Sequence, residues 1–133
     1  MIGAVVATHG KLAEEMIRTA ETVVGKLEKV EPVSIVATAP DVRGDLKAAI
    51  QRVDSGEGVL LLTDLLGGSS TNLCLSFLTE RRVEVVTGVN LAMLIKLSGL
   101  RASGKPILEV ASALVEAGQQ SIGHASERLR RMG

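Results

Sequence analysis

The feature that most constrains the fold is an abrupt change of pattern within the first sixteen residues. Residues 2–7 form a short apolar run, which is typical of an inner strand covered on both faces. Thr8, His9 and Gly10 interrupt this run, and apolar residues then recur at helical spacing. The pattern predicts a strand, a tight turn and a helix, with His9 at the carboxyl end of the strand. In open parallel α/β sheets, ligands bind at that edge.

The same order of strand and helix recurs along the chain. Further strands are predicted over residues 33–38, 59–63 and 83–87, and the very hydrophobic run at 59–63 is expected to be central. Helices are predicted over residues 11–24, about 46–53, about 73–78, 91–97 and 107–117. Repeated units of this length predict a single α/β domain over residues 1–133 with a doubly wound, mostly parallel sheet.

Residues 121–133 fit this repeat less well. Residues 122–126 are consistent with a short edge strand, and the arginine-rich residues 127–132 with a terminal helical turn or a solvated end. A four-stranded parallel sheet leaves an open edge that must be covered or paired, and residues 121–126 are the unassigned segment available for that purpose.

Composition argues against several classes of function. Fifteen basic and fifteen acidic residues cancel, and Phe77 is the only aromatic residue, so binding of nucleic acid or of an anionic membrane surface is not expected. Cys74 is the only cysteine, which excludes an internal disulfide and a cysteine-based metal site. The first apolar run is too short for a signal peptide or a membrane span, so a cytoplasmic protein is expected.

Two candidate catalytic residues follow two strands that we expect to be neighbours. In the flavodoxin-like strand order 2-1-3-4, His9 and Asp64 both project into the crevice where the sheet order reverses. A carboxylate that accepts from one imidazole nitrogen fixes the tautomer and leaves the other nitrogen as a nucleophile. Taken singly, His9 could instead be satisfied by backbone groups, and Asp64 could be a helix cap or a turn residue.

A glycine pair and three hydroxyl residues follow Asp64. The glycines permit close backbone approach, and the start of the next helix offers hydroxyls and free amides to an anion. An ordinary loop with a serine cap is the simpler alternative, but a histidine opposite favours a phosphohistidine site. The predicted phosphoryl-binding residues are Gly67, Gly68, Ser69, Ser70 and Thr71.

Three motifs carry a family resemblance. They are residues 8–10 (Thr-His-Gly), residues 63–72 (Thr-Asp-Leu-Leu-Gly-Gly-Ser-Ser-Thr-Asn) and residues 88–94 (Gly-Val-Asn-Leu-Ala-Met-Leu). In order and spacing the chain resembles the enzyme IIA domain of the mannose family of the bacterial phosphoenolpyruvate-dependent sugar phosphotransferase system. The resemblance implies a homodimer whose C-terminal antiparallel edge strand is exchanged between subunits.

The resemblance also implies a phosphotransferase component. His9 would accept a phosphoryl group from the phosphorylated carrier protein HPr and pass it to a histidine of an enzyme IIB component, with Asp64 orienting the ring. Neither a metal nor a cofactor is implied, and the membrane would be involved only through a permease. Ser70 and Ala92 stand where the family usually has proline, which puts loop rigidity and partner fit in question. Leu66 stands where the family often has an aromatic residue, and an apolar partner-facing surface would be retained.

Other interpretations remain open. The same histidine could act as a metabolic switch in a regulatory module without sugar transport, and a flavodoxin-like domain could bind a small molecule or a metal. The stretch at residues 99–105 resembles a P-loop, but Pro106 occupies the position of the metal-binding hydroxyl, and the stretch follows a helix. His124 is the only other histidine and lies in the unassigned tail.

Overall fold

The computed structural model describes residues 1–35, 41–65, 69–78 and 82–133. The strands are β1 (Gly3–His9), β2 (Val30–Ile35), β3 (Val59–Thr63) and β4 (Val83–Val86). The helices are α1 (Leu12–Val24), α2 (Val42–Val53), α3 (Ser69–Leu75), α4 (Leu91–Ala102), α5 (Ile107–Gln120) and α6 (Ala125–Met132). Within these described stretches, no helix combines the length and the apolar character needed to cross a bilayer.

The four strands form one parallel sheet in the order β2-β1-β3-β4. This confirms the predicted α/β class and the strand order 2-1-3-4. The register pairs Ala7 of β1 with Thr63 of β3, so the two central strands end side by side. Because the strand order reverses between them, the crevice at their carboxyl ends is the place where such a sheet presents a site.

Helices cover both faces of the sheet. Alternate residues of a strand point to opposite faces, so Val6 and Leu62 pack with α1, α4 and α5, while Val5 and Leu61 pack with α2 and Phe77. Burying one leucine side chain contributes about 1.5–3 kcal/mol. The two apolar layers therefore fix β1 and β3 firmly from both sides.

The second strand begins earlier than predicted. Residues 33–38 were expected to form it, whereas β2 spans Val30–Ile35, and residues 36–38 lie outside the described part of the chain. Pro32 lies inside the strand and pairs with Val6 of β1. A proline is tolerated there because β2 lies at the edge of the sheet, where one side of the strand needs no ladder hydrogen bond.

The single chain does not confirm the expected C-terminal edge strand, and its exchange between subunits stays a prediction. Residues 121–124 form no strand, and residues 125–132 form α6. The sequence of α6 is rich in helix-forming residues, and Glu127 forms ion pairs with Arg130 and Arg131 at helical spacing. No residue of α6 is buried, so the helix is an exposed extension that follows α5.

Candidate functional site

His9 is placed by the end of β1 and the start of α1. The first six residues of β1 are buried and His9, the last, is exposed. The Thr8 hydroxyl accepts a hydrogen bond from the Ala13 N–H at 2.7 Å, so it satisfies a backbone donor in the first turn of α1. Gly10 has a φ of 58°, a conformation that glycine adopts without strain, and it turns the chain from strand to helix. His9 is therefore held by rigid elements on both sides.

Asp64 directly follows β3 and contacts His9 through one oxygen. Its Oδ2 accepts the His9 backbone N–H at 3.0 Å and lies 2.8 Å from His9 Nδ1. Since a carboxylate only accepts hydrogen bonds, Nδ1 carries the proton and donates it. The structure thus brings together the two residues that the sequence singled out, and the pairing follows from the β1–β3 register.

The two side chains differ in their access to solvent. The side chain of His9 is 49% exposed, whereas that of Asp64 is 11% exposed. Because Nδ1 faces Asp64, the second ring nitrogen, Nε2, is the one available to an incoming group. A half-exposed imidazole with one nitrogen fixed by a carboxylate is suited to nucleophilic attack on a group brought by another molecule.

Beneath Asp64, two threonines stabilise the turn that follows β3. The Thr71 hydroxyl donates to the Leu65 carbonyl, and the Thr63 and Thr71 hydroxyls lie 2.8 Å apart. Both threonines are buried. Sequence reasoning placed Thr71 among the phosphoryl-binding residues and gave Thr63 no role. Because the Thr71 hydroxyl bonds internally, the group that Thr71 can offer an anion is its backbone N–H.

The other predicted phosphoryl-binding residues are only partly described. Gly67 and Gly68, together with Leu66, lie outside the described residues. Ser69 and Ser70 are the first two residues of α3, which starts directly after that gap. Backbone N–H groups in a first helical turn have no acceptor within the helix. This turn lies at the same edge of the sheet as His9, because α3 follows the carboxyl end of β3.

The third motif packs the start of α4 against the same edge. The Val89 N–H donates to the Thr63 carbonyl at 2.8 Å, and the Asn90 side chain caps α4 by accepting from the Met93 N–H at 3.1 Å. Ala92 is the second residue of α4. An N–H in the first turn has no helical acceptor, so replacing the family's usual proline by alanine leaves the hydrogen bonding of the helix unchanged.

A metal site finds no support among the described residues, since no group of three histidine, cysteine or carboxylate side chains could hold an ion there. His124 lies in the exposed segment before α6, where it is the N-cap residue. Cys74 is buried under the sheet, and burial raises the pKa of its thiol to about 12. Among the described residues, the carboxyl edge of the sheet around His9 and Asp64 is therefore a better candidate for the functional site than His124 or Cys74.

Comparison with known proteins agrees with this geometry. The family model described as the PTS system fructose IIA component, EIIA-man, matches residues 3–115. The chain belongs to this mannose-type IIA family. It is also 31% identical over 124 residues to the mannose-specific EIIAB component of the phosphotransferase system of Escherichia coli K12. That match covers 91% of this chain but 38% of the relative, so the chain spans well under half of the relative's length.

Solved structures of IIA proteins share the fold. The PTS IIA protein associated with the fucose utilization operon of Streptococcus pneumoniae is 32% identical, with a TM-score of 0.81 and coverage of 96% of this chain and 95% of that one. The phosphotransferase component EIIA from Streptococcus agalactiae has a TM-score of 0.83 at 24% identity, covering 96% of this chain and 99% of that one, and supports the fold alone. The mannose-type IIA fold therefore extends over nearly the whole chain.

Proposed function

We propose that this protein is a phosphocarrier that accepts a phosphoryl group on His9 from phosphorylated HPr and passes it to a histidine of an enzyme IIB component during sugar uptake. The observation that carries the proposal is the contact of 2.8 Å between His9 Nδ1 and Asp64 Oδ2, made by a half-exposed ring. Membership of the IIA family supports the same chemistry.

In the proposed step the lone pair of His9 Nε2 attacks the phosphorus of phospho-HPr. A new bond forms between Nε2 and phosphorus, the bond between phosphorus and the donor histidine breaks, and its electron pair returns to the donor ring. During attack the His9 ring gains positive charge, and the Asp64 carboxylate beside Nδ1 stabilises it. Transfer to enzyme IIB is the same exchange in the opposite sense, with His9 as the leaving group.

The phosphoryl oxygens require donors once the group is bound to His9. We assign this role to backbone N–H groups of the first turn of α3, including that of Thr71, together with Gly67 and Gly68. The partial positive charge at a helix N-terminus favours a dianionic group. The Ser69 and Ser70 hydroxyls complete the predicted set.

Partner proteins would dock on the same edge of the sheet. Leu12, at the start of α1, and Leu65, beside Asp64, are both large apolar side chains that remain exposed. Exposed apolar side chains close to a reactive group are typical of a protein–protein contact surface. HPr and enzyme IIB would therefore approach His9 along one surface and bind in turn.

The direct test is phosphorylation by purified components. The protein is incubated with phosphoenolpyruvate, enzyme I and HPr, and its intact mass is measured before and after treatment with acid. We expect one acid-labile phosphoryl group per chain, absent from His9→Ala. The matched control is His124→Ala, which changes the exposed second histidine and should be modified like the wild type.

Two results would overturn the assignment. One is phosphate retained in a folded His9→Ala protein, and the other is a wild-type chain that takes no phosphate from phospho-HPr. Adding an enzyme IIB domain then distinguishes a carrier from a regulatory switch. A carrier loses its phosphoryl group to the IIB histidine, whereas a switch retains it.

A further inference from the structure

A polar cavity lies at the amino edge of the sheet, opposite the edge that carries His9. It has a volume of about 280 Å³ and opens among the segments that precede β1, β3 and β4 and the connection between α4 and α5. Its lining includes Gly56, Arg82, Arg101, Lys105 and Ile107. The six residues of β1 that precede His9 separate it from the cavity, which is about 20 Å at the usual rise of a strand.

Positive charge dominates the cavity. Arg82, Arg101 and Lys105 line it, and among the described lining residues Glu57 is the acidic one. The carboxylate of Glu57 contacts the Met1 ammonium group at 3.0 Å, so its charge is already opposed. Three cationic side chains around a small open volume attract a multivalent anion.

The start of α5 adds backbone donors to the same cavity. Pro106 is the N-cap residue, has no N–H of its own and makes no side-chain capping hydrogen bond. Ile107, the first residue of α5, lines the cavity with Pro106 and Lys105. The partial positive charge of this 14-residue helix is therefore directed toward the cavity.

Arg101 supplies an independent observation. Its Nη1 donates to the backbone carbonyls of Ile2 and Glu28, at 3.1 and 2.7 Å, which fixes the guanidinium at the cavity wall. Its Nε is buried and has no acceptor within the described part of the chain. That nitrogen is closed off from the open cavity, so the part of Arg101 that acts on an anion there is the positive charge of its guanidinium.

We infer that this cavity binds a small phosphate-bearing anion, at a site separate from the one that carries His9. Arginine forks match the oxygens of phosphate, lysine adds a point charge, and a helix N-terminus adds amide donors. The volume of about 280 Å³ accommodates a phosphate group with a small organic substituent. Occupancy of this cavity does not require His9 to be phosphorylated.

The test is a titration of the isotopically labelled full chain with inorganic phosphate, in which NMR amide chemical shifts are measured at each step. Sodium chloride at equal ionic strength is the reference. Saturable shifts are expected at Gly56, Gly104 and Ile107, with no such change in chloride. The dissociation constant should rise about tenfold in Lys105→Gln, since a charge-assisted contact is lost, and should be unchanged in Lys47→Gln.

Arg82→Gln provides a second variant, because Arg82 is exposed and its replacement is not expected to disturb the core. Arg130→Gln in the exposed α6 is its matched control. Shifts confined to Gly10, Asp64 and the start of α3 would mean that phosphate binds at the His9 edge alone and would overturn the inference. Equal responses to chloride, or unchanged affinity in both Lys105→Gln and Arg82→Gln, would overturn it as well. Transfer of phosphate from HPr to His9 should proceed normally in both variants, which separates this test from that of the proposed function.

Discussion

Replacing Asp64 by asparagine isolates the electrostatic part of the proposed transfer step. Asparagine has nearly the same shape, so its carbonyl oxygen can still accept the His9 backbone N–H now bound at 3.0 Å. The amide carries no negative charge, however, and cannot stabilise the cation that forms when Nε2 attacks phosphorus. The fold should persist and the rate of phosphoryl transfer should fall.

The magnitude follows from the contact distance and the exposure of the ring. Two unit charges about 4 Å apart interact by about 1 kcal/mol in bulk water and about 4 kcal/mol at an effective dielectric constant of 20. The His9 side chain is 49% exposed and the Asp64 side chain 11% exposed, so solvent screens part of the interaction. An intermediate value of about 2 kcal/mol corresponds to transfer about thirtyfold slower.

Rapid-quench kinetics with excess phospho-HPr measures this rate directly. Thermal unfolding of the same variant shows whether it is folded, and Asp45→Asn, which changes an exposed carboxylate on α2, is the matched control. A folded Asp64→Asn protein that accepts phosphate within twofold of the wild-type rate would refute the electrostatic role. Asp64 would then act only through its hydrogen bond to the backbone.

Two further predictions concern stability and assembly. Burial raises the pKa of Cys74 from its usual 9.0 to about 12, so above pH 9 the unfolded chain releases a proton that the folded chain retains, and stability should fall by about 1.4 kcal/mol per pH unit. Urea unfolding at pH 8 and pH 10 should show this additional loss in the wild type but not in Cys74→Ala, and equal losses in both proteins would contradict it. The homodimer also remains a prediction: α6 exposes Leu129 and Met132, so the full chain should sediment as a dimer and a chain ending at Ser121 as a monomer. A monomeric full chain would show that the dimer is wrong, and a dimeric truncated chain would place the interface elsewhere.

The central strands could be predicted because the local sequence of each is almost entirely apolar. Residues 2–7 and 59–63 are continuous apolar runs, and a run of that kind is typical of a strand covered on both faces. The edge strand β2 contains Glu31 and Pro32, which resemble a connection when considered alone. Pairing with β1 decides its position, and pairing is not a local property.

The helices α4 and α6 show two different limits of sequence reasoning. Helix α4 was predicted to end at Leu97, yet it continues through Ser98 and Gly99 to Ala102. Its packing against α1 and α5 outweighs the low propensity of those two residues. The tail was assigned a strand because the sheet edge needed a partner. Within one chain the tail forms a helix, in which Glu127 makes favourable ion pairs with Arg130 and Arg131.

The candidate site could be predicted as far as topology determines it. Adjacent strand ends bring His9 and Asp64 together, and adjacency follows from the α/β order. The bond between the Thr63 and Thr71 hydroxyls could not be predicted, since it depends on how α3 is oriented above β3. The cavity around Arg101 could be predicted only in part: residues 99–105 stood out as a P-loop-like stretch, but Arg82 joins them only at the amino edge of the sheet.

The effect of Ser70, which replaces the family's usual proline, depends on whether it takes part in the contacts that position His9. Asp64 Oδ2 contacts His9 at its backbone N–H and its Nδ1, and these two contacts depend on the pairing of Ala7 with Thr63 in the middle of the sheet. Ser70 belongs to α3 and takes no part in that pairing. A serine in place of the usual proline therefore leaves the imidazole and its carboxylate where they are. What it can change is the surface that a partner meets after the sheet has already positioned the reacting nitrogen.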